Sequence, residues 1–119
     1  MRIKISHNEN IIKIRLDDNE SSKSLYEQLP FSVKIEDYAS IEKIFYPPKK
    51  LSIKNSPDGY QAKAGDVTYY APWGDVAIFY KGFSYADKLI RLGEITEGRD
   101  VLKKLEGVEV VVEKDEISN

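Results

Sequence analysis

Short segments in which apolar and polar residues alternate constrain the fold of this chain more than any other feature. Ile3 and Ile5 alternate with charged or polar neighbours, and the same period of two recurs in residues 12–16, 31–36 and 108–113. Successive side chains of a β-strand point to opposite faces, so this period is typical of strands with one buried face. The chain is therefore predicted to be mainly β.

Turn-forming residues separate these segments into a series of short strands. The polar run 7–10 lies between the first two alternating segments and predicts a β-hairpin. Further extended pieces are predicted at residues 41–46, 67–70, 76–80 and 89–95, with a shorter one at residues 51–53 inside a loop. Gly93 is predicted to mark a bulge or a point of close backbone approach. The total comes to about eight strands.

Capping signals predict two short helices between the strands. Residues 17–19 offer N-cap oxygens before the apolar face of a first helix, which Pro30 is expected to end. Thr96 is predicted to cap a second helix with its apolar face at residues 101–105, and Gly107 stands where a left-handed residue ends a helix. So many strands with only two short helices favour a closed barrel or a sandwich over a parallel α/β sheet.

The length and charge of the chain limit its organisation and its partners. Its 119 residues suffice for one hydrophobic core, so residues 1–113 are predicted to form a single domain and residues 114–119 a frayed polar tail. The 18 Lys and Arg residues and the 20 Asp and Glu residues are well mixed along the chain. This balance lacks the basic footprint of a protein that binds nucleic acid or an anionic membrane.

The N-terminus and the apolar runs predict a cytoplasmic, soluble protein. Residues 1–6 alternate charges with isoleucines, whereas a secretory signal needs a continuous apolar stretch. The longest apolar run covers residues 76–80 and is far shorter than the roughly 20 residues that cross a bilayer.

Few reactive side chains are present. The chain has no cysteine and one histidine, His7, so it cannot form a disulfide, a Cys-rich or multi-His metal site, or a Cys–His couple. A Ser-His-Asp arrangement would depend on His7, whose position in a hairpin turn indicates a solvated side chain. No metal and no cofactor are therefore expected.

Aromatic residues concentrate in one part of the sequence. Seven of the thirteen lie between residues 69 and 85. Because side chains alternate along a strand, Tyr69 and Tyr70 must face opposite ways, one toward the core and one toward solvent. Tyrosine and tryptophan near a turn suit a binding surface, since they offer large contact area together with a polar group. Trp73, in a Pro-Trp-Gly-Asp turn, is the residue most expected to touch a ligand or partner.

Two segments resemble a known family. Residues 92–106 read Leu-Gly-Glu-Ile-Thr-Glu-Gly-Arg-Asp-Val-Leu-Lys-Lys-Leu-Glu and resemble the cyclophilin segment Phe-Gly-x-Val-x-x-Gly-x-x-Val with the helix that follows it. Residues 65–74 read Gly-Asp-Val-Thr-Tyr-Tyr-Ala-Pro-Trp-Gly and are similar to a pattern in small prokaryotic cyclophilin-like proteins of uncharacterised role. The resemblance covers nearly the whole chain and implies a closed cyclophilin-like eight-stranded β-barrel with two short capping helices.

The sequence departs from the catalytic pattern of the prolyl isomerases in this family. Their Phe-His-Arg-Ile strand corresponds to Ile-Glu-Lys-Ile at residues 41–44, so Lys43 stands in place of the usual arginine. A lysine is a point charge without the planar fork of an arginine, and Lys43 is interpreted as a solvated surface residue. The Gln-Phe-Phe strand corresponds to residues 76–78, or to Phe79 with a slip of one residue.

Three functions remain open at this point. The first is a non-catalytic binding module that holds a small ligand, a peptide or a protein with Tyr46, Tyr70, Trp73 and Phe79. The second is a weak peptidyl-prolyl cis-trans isomerase in which Lys43 replaces the usual arginine. The third is a structural module whose aromatic hairpin forms a homo-oligomer interface. The missing arginine favours binding over catalysis.

Overall fold

The computed structural model describes residues 1–115. Within them the strands are β1 (Arg2–His7), β2 (Asn10–Leu16), β3 (Phe31–Tyr38), β4 (Glu42–Phe45), β5 (Gly59–Gln61), β6 (Asp66–Tyr70), β7 (Asp75–Phe79), β8 (Tyr85–Asp87), β9 (Leu89–Glu97) and β10 (Val108–Lys114). The helices are α1 (Glu20–Tyr26) and a 3₁₀ helix (Arg99–Leu105). No helix in this part of the chain is both long enough and apolar enough to cross a membrane.

Eight of these strands close into a barrel with antiparallel neighbours. The order around the barrel is β1-β10-β3-β4-β7-β6-β9-β2, and β2 pairs again with β1. Closure gives each barrel strand two neighbours, so none is left as an unpaired edge. The predicted fold, a mainly β closed eight-stranded barrel with two short helices, is confirmed.

Strand alternation fills the interior of the barrel. In the first hairpin Ile3 lies opposite Ile14, and Ile5 lies opposite Ile12. All four are at most 1% exposed, and Val112 of β10 joins them in the same core. The period of two in the sequence therefore correctly identified which residues of these strands face inward.

The loop before β6 differs from its prediction. Residues 51–53 form no strand, although Leu51 is buried and its amide donates to the Tyr69 hydroxyl at 3.2 Å. The extended pieces are instead β5 and β8, which pair with each other outside the barrel as a two-stranded ribbon. Leu51 is held by packing and by this one hydrogen bond to a side chain. The alternating apolar pattern of residues 51–53 therefore does not reflect pairing with another strand.

Helix α1 begins where the sequence predicts. Its N-cap is Asn19, whose side-chain oxygen accepts a hydrogen bond from the Ser22 amide at 2.8 Å. Leu25 is fully buried and belongs to the core of the barrel. The helix ends at Tyr26, so Pro30 follows it without ending it.

The second helix is capped differently from its prediction. Thr96 lies inside β9, and the N-cap is Gly98, which makes no side-chain cap hydrogen bond. Its φ of 94° is a left-handed conformation that glycine adopts without steric cost. Leu102 and Leu105 point into the core as expected, and Gly107 has the predicted left-handed conformation with a φ of 71°.

Gly93 lies at a close approach of two strands, as predicted. The pairing of β6 with β9 shifts register between Val67, which faces Gly93, and Thr68, which faces Arg91. A Cβ atom added at Gly93 would lie 2.1 Å from the Arg15 carbonyl oxygen on the neighbouring β2. Only glycine allows β2 and β9 to approach this closely.

The last strand reaches beyond the predicted end of the domain. Lys114 pairs with Ile3, and the Asp115 amide donates to the Arg2 carbonyl at 2.9 Å. The first two residues of the predicted frayed tail, 114–119, are thus tied to β1. Residues 116–119 of that tail lie outside the described residues.

Candidate functional site

The outer face of the barrel carries a second apolar cluster next to the ribbon. Ile44, Ala77, Phe79 and Leu89 are buried there, on strands whose alternate residues point into the barrel. Tyr60 and Ala86 of the ribbon pack against this cluster. The ribbon therefore shields a face that the barrel alone would leave in water.

A cavity of about 190 Å³ lies beside this cluster. It is lined by Tyr38, Glu42, Tyr70, Trp73, Phe79, Phe83, Ala86 and Leu89. Five of the eight are aromatic, and they come from β3, β6, β7, the turn between β6 and β7, and the segment before β8. Sites for drug-sized ligands span about 300–1,000 Å³, so this cavity fits one small group or one side chain.

The rings of the cavity are held against one another. Trp73 meets Tyr38 edge-on with ring centroids 5.2 Å apart, and it meets Tyr70 in the same manner at 5.5 Å. Phe79 and Phe83 stack at 6.2 Å. Trp73 is 47% exposed whereas Phe79 is 2% exposed, so the cavity has a buried base and a solvent-facing rim.

Three of the four predicted binding residues lie together in this cavity. Tyr70, Trp73 and Phe79 all line it. Tyr46 follows β4, is 55% exposed, and does not belong to the lining. The structure thus separates Tyr46 from the other three aromatic residues.

The sequence prediction missed five residues of the lining, namely Tyr38, Glu42, Phe83, Ala86 and Leu89. Phe83 belongs to the aromatic cluster between residues 69 and 85, and that cluster was a sufficient signal to include it. Tyr38 and Glu42 carry no such signal, because they become neighbours only through the pairing of β3 with β4, in which Tyr38 lies opposite Glu42. Only the register of that pair brings them to the same face.

Lys43 points into the barrel, on the side of β4 away from the cavity. It is 2% exposed, and its ammonium lies 3.1 Å from Asp37 and 3.8 Å from Glu106. The same ammonium lies 5.6 Å from the centre of the Tyr80 ring. The interpretation of Lys43 as a solvated surface residue is therefore wrong, because ion pairing and the ring compensate for its burial.

The partners of Lys43 keep Asp37 ionised. Burial by itself would raise the pKa of Asp37, but hydrogen bonds from the Tyr80 hydroxyl, Lys43 and the Ser40 amide outweigh burial and lower it. Burial, together with the charge of Asp37, raises the pKa of Tyr80 to about 12. This network stabilises one end of the barrel and places no cation in the cavity.

Two acidic residues lie on the cavity side of the barrel. Burial, and then repulsion by Asp75 and Asp37, raise the pKa of Glu42 to about 7. Burial raises the pKa of Asp75 to about 6, and its own backbone amide offsets part of that rise. Neither carboxyl oxygen of Asp75 has a hydrogen-bond partner among the described residues.

Residues 1–115 contain no group of three or more His, Cys, Asp or Glu side chains placed to hold a metal ion. Glu42 and Asp75 are thus a pair of acids without a third protein ligand. The walls of the cavity are aromatic, whereas hard cations such as Mg²⁺ and Ca²⁺ prefer several oxygen ligands.

Comparison with known proteins assigns the chain to a family. The solution structure of a hypothetical protein from Archaeoglobus fulgidus superposes with a TM-score of 0.72, covering 97% of this chain and 95% of that one. The two sequences are 20% identical, so this likeness concerns the fold alone. No curated protein matches the sequence significantly. The family model described as the Cyclophilin-like family matches residues 5–113, and the chain therefore belongs to the cyclophilin-like family.

Proposed function

We propose that this chain is a non-catalytic binding module whose site is the aromatic cavity on the outer face of the barrel. The observation that carries this proposal is the convergence of five aromatic rings from separate parts of the chain on one small cavity. Three of these rings, Tyr38, Trp73 and Phe83, are 44% to 47% exposed. Rings that served only to fill a core would be buried, whereas half-exposed rings around a buried base suit an incoming apolar group.

The residues of the cavity favour binding over prolyl isomerisation. An isomerase needs a donor that stabilises the twisted amide, against a barrier of about 18–20 kcal/mol. The Lys43 ammonium lies on the inner face of β4 in ion pairs with Asp37 and Glu106, so it does not support the isomerase alternative. The lining itself offers only neutral donors, namely the Tyr38 and Tyr70 hydroxyls, the Trp73 indole and the protonated form of Glu42.

The experiment uses Trp73, the one tryptophan of the chain, as a reporter. A panel of small apolar and aromatic fragments and proline-containing tetrapeptides is titrated by ligand-observed NMR and Trp73 fluorescence. We expect at least one probe to bind with a measurable Kd. Trp73→Phe should preserve most of that affinity by NMR, and Trp73→Ala should weaken it about tenfold or more, as truncation of an aromatic anchor does.

Tyr46→Ala is the matched control, because Tyr46 is an exposed aromatic residue outside the cavity lining. We expect its Kd to stay within about twofold of the wild-type value. An equal loss of affinity in both alanine variants would mean that the probe binds a broader aromatic surface and not the cavity. A smaller molecular mass for Trp73→Ala in analytical ultracentrifugation would favour the homo-oligomer module instead.

A further inference from the structure

Glu42 stands among the aromatic rings without a counter-charge. It lines the cavity, and its carboxylate takes part in none of the side-chain hydrogen bonds or ion pairs found within the described residues. No Lys or Arg belongs to the lining. A carboxylate in this position makes the potential inside the cavity negative, and the faces of the surrounding rings add to that effect.

Asp75 adds a second acidic group on the same face of the barrel, outside the lining of the cavity. Its side chain is 0% exposed, and neither of its oxygens has a hydrogen-bond partner within residues 1–115. Asp75 lies directly opposite Tyr70 in the pairing of β6 with β7, on the face that carries the cavity. Buried charges are normally paired or neutralised by a shifted pKa, so the unpartnered Asp75 carboxyl is a place where a positive charge from outside the chain would be stabilised.

We propose that the aromatic cavity binds an organic cation, a methylated ammonium group held by the rings and by the negative charge of Glu42 and Asp75. This inference rests on the proposed function, because it assigns a ligand class to the same cavity. The rings of Trp73, Tyr38 and Tyr70 line the cavity. Aromatic cages recognise quaternary ammonium groups through the attraction between a cation and the π faces of such rings.

The chemistry of the lining favours a methylated ammonium over other cations. A metal ion would need more oxygen ligands than Glu42 and Asp75 supply, and residues 1–115 hold no group of three. A primary ammonium carries three N–H donors, whereas a quaternary one carries none and needs only charge and contact. A cavity of about 190 Å³ with one lining carboxylate and five rings provides the charge and the contact that a quaternary ammonium needs.

Binding is expected to depend on the ionisation of Glu42. The titratable groups around it are Asp37 and Tyr38 on β3, Asp75 on β7 and Tyr70 on β6. The pKa of Glu42 is about 7, so a large part of it is protonated at neutral pH. A bound cation favours the ionised form, and binding should therefore release protons and become tighter as pH rises from about 6 to about 8.

The experiment compares choline with 3,3-dimethylbutan-1-ol, which has the same shape without the charge. Both are titrated into the full chain at pH 8 and followed by protein NMR shifts and Trp73 fluorescence. We expect choline to bind about tenfold or more tightly than the neutral alcohol, since a desolvated cation–π contact supplies that difference. Affinity for choline should fall as pH is lowered to 6, while affinity for the alcohol should not change.

Two glutamate variants locate the effect. Glu42→Gln should weaken choline binding about tenfold and leave binding of the alcohol unchanged. Glu36→Gln removes an exposed carboxylate of β3 outside the lining and should have no effect on either probe. If Glu42→Gln fails to fold, the comparison of the two probes and the pH dependence of the wild-type chain still test the inference.

The outcomes separate the two proposals. Equal binding of choline and the alcohol at the cavity, or choline binding that is independent of pH, would overturn the organic cation and leave the binding module standing. If neither probe binds but another fragment binds at Trp73, the organic cation is likewise overturned and the binding module stands. Failure of both probes and of every fragment and peptide would overturn the cation and the binding module together.

Discussion

Asp75 begins β7 and buries a carboxyl group that has no hydrogen-bond partner among the described residues. Burial raises its pKa from 3.8 to about 6 in the folded state. The unfolded chain therefore loses this proton at a lower pH than the folded chain. The cost to folding begins above pH 3.8, grows as pH rises through about 6, and is then complete.

Asp75→Asn removes this cost, which amounts to about 2 kcal/mol between pH 4 and pH 7.5. The variant should therefore gain about that much in its free energy of unfolding, relative to wild type, between these two pH values. Urea denaturation at both values measures the change. Asp87→Asn alters an exposed aspartate of β8 and should stay within about 0.5 kcal/mol of wild type at each pH. If Asp75→Asn and wild type show the same dependence on pH, Asp75 is not a buried ionised group.

Lys43 shows why the sequence did not reveal the placement of single residues on β4. Glu42 and Lys43 are adjacent and both charged, so the strand lacks the alternation that separates an inner from an outer face. Pairing with β7 decides which residue faces inward. Lys43 lies opposite Ile78, which belongs to the core inside the barrel, and Glu42 lies opposite Phe79, which belongs to the cluster on the outer face. The partners that stabilise the buried ammonium, Asp37 and Glu106, lie on β3 and after the 3₁₀ helix.

At the scale of elements, β2 and β9 depend on the missing side chain at Gly93. Gly93→Ala would place a Cβ atom 2.1 Å from the Arg15 carbonyl oxygen, so the two strands must separate. We expect a loss of about 2 kcal/mol or more in the free energy of unfolding, measured by urea denaturation, as for other overpacked positions.

Gly82→Ala is the control for this substitution. A Cβ atom at Gly82 would approach only the Ala62 carbonyl oxygen, at 3.9 Å, which is ordinary van der Waals contact. The control should change the free energy of unfolding by less than about 1 kcal/mol. Similar losses in both variants would mean that the approach of β2 to β9 is not the cause.

The ribbon was beyond prediction from the sequence for a physical reason. β5 and β8 have three residues each, which is too short for an alternating pattern to stand out. Tyr60 pairs with Ala86, which lies far along the chain, so no hairpin turn in the sequence indicates this pairing. The alternation of residues 51–53 was the stronger local signal and belongs to a segment without a partner strand.

At the scale of the whole molecule, the barrel and the ribbon should differ in stability. Every barrel strand has two neighbours, whereas β5 and β8 pair only with each other within residues 1–115. An isolated two-stranded pair is marginally stable. The ribbon is held by the apolar cluster on the outer face and by the Tyr60 hydroxyl, which donates to Asp66 at 2.6 Å.

Native-state hydrogen exchange measures this difference. Hydrogen-bonded amides of the ribbon should exchange about 100-fold or more faster than those of β1 and β10, after correction for intrinsic rates. Equal protection would show instead that the ribbon and the barrel open as one unit. Because Ala86 of the ribbon lines the cavity, a ligand that binds there should slow exchange in the ribbon more than in the barrel.

The choice of a closed barrel over a sandwich came from the family resemblance. The sequence pattern itself determined the mainly β character, the inward residues of the first hairpin, the start of α1 and the close approach at Gly93. These features follow from local rules, namely side-chain alternation, capping and glycine conformation, which a single segment expresses without its partners. It also pointed to Tyr70, Trp73 and Phe79. The tertiary structure alone decided that Tyr38 and Glu42 join these three around one cavity, that Tyr46 stays outside it, and that Lys43 points into the barrel. Those placements depend on the register between strands far apart in sequence and on the covering ribbon, because pairing selects which face of each strand is enclosed.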